Sequence, residues 1–297
     1  PRINAAGRMR NETNGGSSSS GGNNAVKLLI SMTEEKALAY GTIIDDCNTD
    51  RKEIDREITI EANEIVDSSP QAAESKSTVL YNPGWMKGVV GIVASRLIER
   101  YYRPTVVLTM SNGYITGSAR SVPGFDLYQA VEHCSDLLES FGGHTYAAGL
   151  TMKPENLEAF KERFEHYVEE HITEECLTPT IDIDTDMELS DINMSFLRQL
   201  SRFQPFGPGN TMPVFRSKGV NDAGSGRVVG KAQEHLKLDI INSRSAKPVP
   251  AIAFGQSAAA DIALSGEPFD ITYSITENRY RGEVKLQLRI IDIKKSS

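Results

Sequence analysis

The sequence predicts an α/β domain followed by a small all-β barrel, with a helical connecting segment in front of both. Strand-like and helix-like stretches alternate between Ser77 and Ile172, and short alternating strands follow one another after Thr178-Pro179. Helical spacing dominates before the break at Ser68-Ser69-Pro70. At 297 residues there is room for two or three such domains.

Taken in order, Asn14 to Asn24 is a glycine- and serine-rich run with no apolar face to bury, the composition of an engineered flexible bridge that carries no chemistry. Ala25 to Ala39 repeats apolar residues at helical spacing, and Thr33 before Glu34-Glu35 marks a second helix start. Ile43, Ile54, Ile58, Ala62 and Ile65 are expected to line a long charged helix, roughly 45–67. Ser77–Tyr81 reads as a strand, Gly88–Tyr101 as an apolar helix and Pro104–Met110 as a β-branched strand. Asn112-Gly113 then turns the chain into a hairpin partner at Tyr114–Ser118. Phe125–Leu138 is expected to be helical, Ala147–Met152 extended, and Pro154–Ile172 a helix with proline at its first position. Beyond Pro179, strands are expected at 214–220, 226–231, 235–242, 249–254, 270–276 and 284–293, with one helical stretch near 256–264. Five or six short strands and one helix fit an OB-like barrel.

Composition sets further bounds. Hydrophobic content of 39% with 24% charged residues excludes wholesale disorder. No run of eighteen apolar residues is present, so no membrane span is expected. Cys47, Cys134 and Cys176 have no CxxC spacing, which points to a reducing, cytoplasmic setting and away from a structural zinc site. The chain opens on Pro1-Arg2 with no methionine or leader and reads as part of a longer protein. The net charge of −8 conceals a gradient: from Arg198 onward, 15 basic residues stand against 9 acidic ones. Nucleic-acid phosphates need such local positive charge. The eight glutamates between Glu155 and Glu175 read as a solvated helix face.

Four stretches could carry chemistry. In Phe141-Gly-Gly-His-Thr-Tyr-Ala-Ala-Gly149, small residues let a ligand approach the backbone beside His144, an oxyanion or phosphate cradle; a glycine-rich turn with a satisfied histidine is the plainer alternative. Gly117-Ser-Ala-Arg-Ser121 places hydroxyls around the fork of Arg120, which suits a phosphate but equally describes a surface arginine among turn serines. Pro1 to Arg8 is by itself only a basic loop. Phe203-Gln-Pro-Phe-Gly-Pro-Gly-Asn210 is a rigid shaped loop whose phenylalanines could stack on bases, although core packing suits at least one of them better. Arg227, Lys231, His235 and Lys237 lie on adjoining strand segments, with His235 and Lys237 on one face by alternation. That face is either a single-strand groove or an ordinary solvated surface. Asp182, Asp184 and Asp186 alternate onto one face without a histidine, so no metal centre is expected from these residues. His133, His166 and His171 have no ligand spacing, and Trp85 with Tyr101-Tyr102 suits a core or interface.

Together these stretches resemble the C-terminal two-thirds of the RecJ family of single-strand-specific 5′→3′ DNA exonucleases, within the DHH phosphoesterases. Pro1–Met9 is similar to the last DHH-domain motif, and Trp85–Ser95, Gly117–Ser121 and Gly142–Gly149 are similar to DHHA1 motifs. Phe206–Pro213, Gly230-Lys231 and His235–Leu238 are similar to the OB domain. The resemblance implies residues 1–75 as the DHH end and connecting helices, 76–178 as a DHHA1 α/β domain and 179–297 as an OB-like domain. It implies hydrolysis of phosphodiester bonds in repair and recombination, aided by Mn²⁺ or Mg²⁺ held upstream of Pro1, so the chain alone is expected to bind no metal and to be inactive.

By the same resemblance, Arg8 reaches DNA phosphate, while Ser118, Arg120 and His144 position the phosphates of an entering strand and its 5′ end. Gly142 and Gly143 line that site, and Arg227, Lys231, His235 and Lys237 guide the strand, which a helicase or single-strand-binding protein would supply. One departure is Met86, where the family usually has histidine. Two other readings stay open: a phosphodiesterase of short oligonucleotides or cyclic dinucleotides, which needs no basic barrel, and a non-catalytic nucleic-acid or protein-interaction module.

Overall fold

The computed structural model describes residues 2–9, 21–245, 247–280 and 282–296, and residues 14–20 of the glycine/serine run lie outside them. The chain divides into two compact units, Pro1–Pro179 and Thr180–Ser297.

The first unit opens with helices. Arg2–Arg8 (α1) is helical rather than a basic loop, and Gly21–Asn24 of the glycine-rich run is the first part of Gly21–Leu29 (α2), a correction to the expected coil. Thr33 caps the next helix, accepting from the Lys36 amide, but that helix runs unbroken as Glu34–Asp67 (α3). The expected apolar stripe is also only half right. Ile58 and Ala62 are buried, whereas Ile43 and Ile65 are exposed, and Ile44, Asn48, Asp55 and Val66 fill the inner face. Pro70–Glu74 (α4) leads into the α/β part.

That part contains Thr78–Tyr81 (β1), Val90–Tyr101 (α5), Thr105–Ser111 (β2), Tyr114–Arg120 (β3), Leu127–Glu132 (α6), Leu138–His144 (β4), Ala147–Met152 (β5), Leu157–His171 (α7) and Glu174–Leu177 (α8). The sheet order is β1-β2-β3-β5-β4, with β1 and β2 parallel and the other pairs antiparallel. Asn112 and Gly113 both take positive φ, as the hairpin turn requires. Phe125–Leu138 is not one helix: Asp126 caps α6, which ends at Glu132, and a 3₁₀ turn follows. The greater surprise is Gly142-Gly143-His144, which belongs to strand β4 and not to a turn. A Cβ on Gly143 would sit 2.2 Å from the Ala147 carbonyl oxygen, so glycine is needed there for strand-to-strand closeness.

Each sheet face has its own core. Val106, Leu108, Ala119 and Leu150 pack with Phe160, Phe164 and Val168 of α7. On the opposite face Val107 and Leu80 pack with Val93, Ala94 and Leu97 of α5 and with Ile58 and Ala62 of α3. Trp85 belongs to this second core, its indole N–H donating to Glu61 at 2.8 Å, and Met86 packs against it as an apolar side chain.

The second unit comprises Thr185–Asp186 (β6), Met194–Leu200 (α9), Phe215–Asp222 (β7), Arg227–Val229 (β8), His235–Ile241 (β9), Val249–Ala253 (β10), Ala260–Ala263 (α10), Phe269–Tyr280 (β11) and Glu283–Lys295 (β12). The sheet order is β6-β7-β11-β12-β10-β9-β8, and β7 also pairs with β9, so five of the strands pair in a circuit. This is the OB-like all-β unit that the short-strand pattern predicts. Tyr273, Phe269, Leu236 and Leu238 are fully enclosed in its core.

Candidate nucleic-acid interface

Strand alternation decides where Ser118 and Arg120 point. Ala119 between them is buried in the α7-side core, so Ser118 and Arg120 face the helix α5 side. A Cβ on Gly91, in the first turn of α5, would lie 2.9 Å from Arg120 Nη2 and 3.1 Å from Ser118 Oγ. The absence of a side chain at Gly91 therefore makes the space that the guanidinium occupies. Arg120 Nη1 donates to Ser118 Oγ at 2.6 Å and to the Ala119 carbonyl at 2.7 Å. Burial holds the Arg120 pKa below its ordinary value, and the charge of Arg8 lowers it further.

Arg8 ends α1, and its backbone comes up against the approach to α5. A Cβ on Gly88 would overlap the Arg8 carbonyl oxygen at 1.9 Å. No carboxylate pairs with Arg8 or Arg120 among the described residues. Two neighbouring guanidiniums without a counter-charge form a site that an anion would neutralise.

The strand register brings His144 to the same sheet end. Arg120 pairs with Ala147, and Ala147 pairs with His144 across the next strand. Two rows further in, on the same face, Ser118 pairs with Gly149 and Gly149 with Gly142. These small residues make a low floor between the arginine and the imidazole, with Gly142, Gly143, Gly149 and His144 all exposed. His144 Nδ1 accepts from the Tyr146 amide at 3.3 Å, which leaves Nε2 toward solvent.

In the second unit, Arg227 and Lys237 are cross-strand partners, and His235 shares their face of β9. Lys231 lies in the turn after β8, not on a strand. The face is less uniformly basic than its sequence suggests: Glu234 approaches His235 at 3.4 Å, and Asp239 follows on the same side of β9. Two residues that sequence reasoning missed complete it. Ile252 pairs with Lys237 on one side and Arg289 on the other, and two positions on, Phe254 stands 52% exposed. The Phe254 ring meets His235 edge-on at 5.1 Å and carries the Arg289 guanidinium 5.7 Å from its centroid. An exposed aromatic ring beside a guanidinium offers a face on which a base can stack. The expected stacking pair divides differently: Phe206 packs against the core and Phe203 is exposed, with Asn210 donating to the Phe203 and Pro205 carbonyls to brace the loop.

Only Thr185–Asp186 of the aspartate run is strand. Asp184 accepts from the Val214 amide, and Asp186 forms a two-pronged pair with Arg216 at 2.6 and 3.0 Å, which holds its carboxyl below the usual range. Among the described residues no group of three or more His, Cys, Asp or Glu is placed to hold a metal ion, so these side chains do not fit the metal pair that the resemblance implies.

An α/β domain followed by an OB-like unit defines a DHHA1-plus-OB protein: residues 74–170 match the DHHA1 domain, and residues 183–292 match the RecJ OB domain. The chain carries these two domains as a member of the RecJ family. The single-stranded-DNA-specific exonuclease RecJ of Bacillus subtilis is 31% identical over 296 residues, covering 98% of this chain and 36% of the relative. That of Haemophilus influenzae is 29% identical over 297 residues, covering 98% and 50%. The crystal structure of Thermus thermophilus RecJ in complex with Mn²⁺ superposes with a TM-score of 0.77 at 26% identity, covering 100% of this chain and 40% of that one. The chain thus spans about a third to a half of the length of the curated relatives it matches.

Proposed function

We propose that this chain is the substrate-handling part of a single-stranded-DNA-specific 5′→3′ exonuclease, gripping the 5′ phosphate in one unit and the following strand on the other. The carrying observation is the Arg8–Arg120 pair with no carboxylate partner among the described residues, set beside a floor of Gly142, Ala147 and Gly149. In this reading Arg120 supplies a planar fork to two phosphate oxygens, Ser118 orients that fork, and His144 donates from Nε2 across the floor. Gly142 keeps the floor low enough for a sugar–phosphate to lie on it, and Gly143, in the row between, lets β4 approach Ala147 and Ala148 closely. Arg227, Lys231, His235 and Lys237 contact the backbone further along, and Phe254 stacks on a base.

Hydrolysis in the family draws on Mn²⁺ or Mg²⁺, which would activate water and stabilise the leaving oxygen. No ligand set for such an ion is assembled among the described residues, so this chain is assigned binding and positioning alone. A cytoplasmic role in repair and recombination suits three unpaired thiols, Cys47, Cys134 and Cys176. A helicase or single-strand-binding protein that presents free 5′ ends is the expected partner. Residues 76–178 form the DHHA1 portion and 179–297 the OB portion, behind connecting helices over 1–75.

The test is fluorescence anisotropy with single strands of about a dozen nucleotides, within the OB site-size range, carrying either a 5′ phosphate or a 5′ hydroxyl. Wild type should prefer the phosphorylated strand, and Arg120→Ala should remove the preference while circular dichroism stays unchanged. Equal losses on both strands overturn the end-gripping role. Equal affinity for a dinucleotide and the longer strand would favour a short-oligonucleotide phosphodiesterase instead.

A further inference from the structure

Helix α3 carries a buried polar cluster that the site described so far does not use. Asn48, Arg51 and Asp55 fall on its inner side, and Asp55 is fully buried. Asp55 Oδ2 accepts from Arg96 Nη2 of α5 at 2.7 Å and from Arg51 Nη1 at a longer 3.3 Å. The other guanidinium nitrogen of Arg51 donates to Asn48 Oδ1 at 3.0 Å. Two guanidiniums thus share one carboxylate, and Arg96 holds the shorter contact. Arg51 is held in place without being neutralised. Asp55 Oδ1 accepts no hydrogen bond, so the cluster is not a saturated core network.

Arg51 also lines a cavity of about 200 Å³ with Asn4, Ala5 and Arg8 of α1 and Ile92 of α5. That lining holds two guanidiniums and an amide but no carboxylate. Arg8 is thus common to two cations: its charge acts on Arg120, and it shares the cavity lining with Arg51. A terminal phosphate bound between Arg120 and Arg8 leaves the next phosphate of the same strand to be matched, and the cavity beside Arg8 has the charge for it. Side chains pinned by buried partners are pre-organised, so little ordering entropy is lost on binding.

Resting on the end-gripping reading above, we infer that Arg51, held by Asn48 and Asp55, is a second phosphate ligand, and that its cavity with Arg8 takes the first internucleotide phosphodiester of the bound strand. Arg51 is then a binding residue, and Asn48 and Asp55 are positioning residues.

The experiment measures binding of the full chain to 5′-phosphorylated strands in which one linkage at a time is a neutral methylphosphonate. In wild type, neutralising the first linkage should weaken binding about tenfold, the scale of one charge-assisted hydrogen bond. Arg51→Gln should weaken the unmodified strand by a similar factor, and the methylphosphonate should then cost nothing more, because contacting partners are not additive. The slope of log affinity against log salt should fall by about 0.7, the value for one phosphate contact on a single strand. Arg51→Lys, which keeps the charge, should retain part of the affinity and the salt slope.

Losses that multiply overturn the assignment, as does a wild type indifferent to charge at the first linkage. The wild-type scan stands even where Arg51→Gln lowers the melting temperature. The arms also separate two failures. If Arg120→Ala abolishes the 5′-phosphate preference and Arg51→Gln shows no coupling, only the second ligand is lost; if Arg120→Ala does nothing, the end grip itself is wrong.

Discussion

Arg120 and His144 occupy one cross-strand row, separated by a single residue, Ala147. At a strand spacing of about 4.8 Å, their backbones stand about 10 Å apart, with the small side chain between them. A phosphate with its sugar spans that distance, whereas a larger residue at position 147 would fill it. Ala147→Leu should therefore block binding of phosphorylated ends and leave the melting temperature nearly unchanged, since position 147 is only partly buried. Isothermal titration beside a thermal melt checks both; undiminished affinity would show that the row is not the binding floor.

Gly91 offers a sharper separation of function from folding. An added Cβ would meet only the tips of Arg120 and Ser118, which are flexible, while alanine favours the helix by about 1 kcal/mol over glycine. Gly91→Ala should raise stability slightly and yet weaken 5′-phosphate binding about tenfold, the effect of displacing one charged donor. Gly117→Ala should do the opposite. Its Cβ would lie 2.3 Å from the Val107 carbonyl oxygen inside the sheet, costing about 3 kcal/mol by overpacking. Urea unfolding of the two variants, compared with their affinities, should give opposite rank orders.

Strand positions in both units were legible because a β-branched run marks a strand buried on both faces, as in Thr105–Ser111, and alternation reports one-sided burial, as in His235–Ile241. Other features depend on partners distant in sequence. Gly142-Gly143-His144 reads as a turn because glycine usually ends strands; here it permits close approach of Ala147 and Ala148, which only the β4–β5 pairing reveals. Asp55 looks like any charged residue on a solvated helix until Arg96, 41 positions away, packs against it. Phe254 and Arg289 meet only through the parallel pairing of β10 with β12, a long-range register no local pattern encodes. Arg120 and His144 were readable as residue types with suitable chemistry, but their shared row was not.

Phe254 is half exposed and its ring rests on His235 and under Arg289, so removing it costs the fold little. Base–aromatic stacking is worth about 1–3 kcal/mol per base, so Phe254→Ala should weaken binding of single strands by about 5- to 150-fold, irrespective of the 5′ group. Phe254→Tyr should preserve binding. A loss confined to 5′-phosphorylated strands would place the effect at the wrong end of the substrate.

Tyr273 gives the second unit a defined alkaline limit. Its hydroxyl is buried and lies 2.8 Å from Ser217 Oγ, and because Ser217 already donates to the Met187 carbonyl at 2.6 Å, the phenol is the donor. Burial pushes the Tyr273 pKa up from 10.0 to about 12. Below pH 10 the phenol is neutral in the folded and the unfolded chain, and its full contribution is present. As pH rises from about 10 to about 12, the unfolded chain ionises first, so stability falls by about 3 kcal/mol across that window. In Tyr273→Phe, Ser217 keeps its bond to Met187 and no titrating group remains at this place in the core. The variant should lose some stability at pH 8 but show a flatter decline above pH 10, measured as urea midpoints by circular dichroism. Parallel declines in wild type and variant would mean that the alkaline sensitivity arises from other groups.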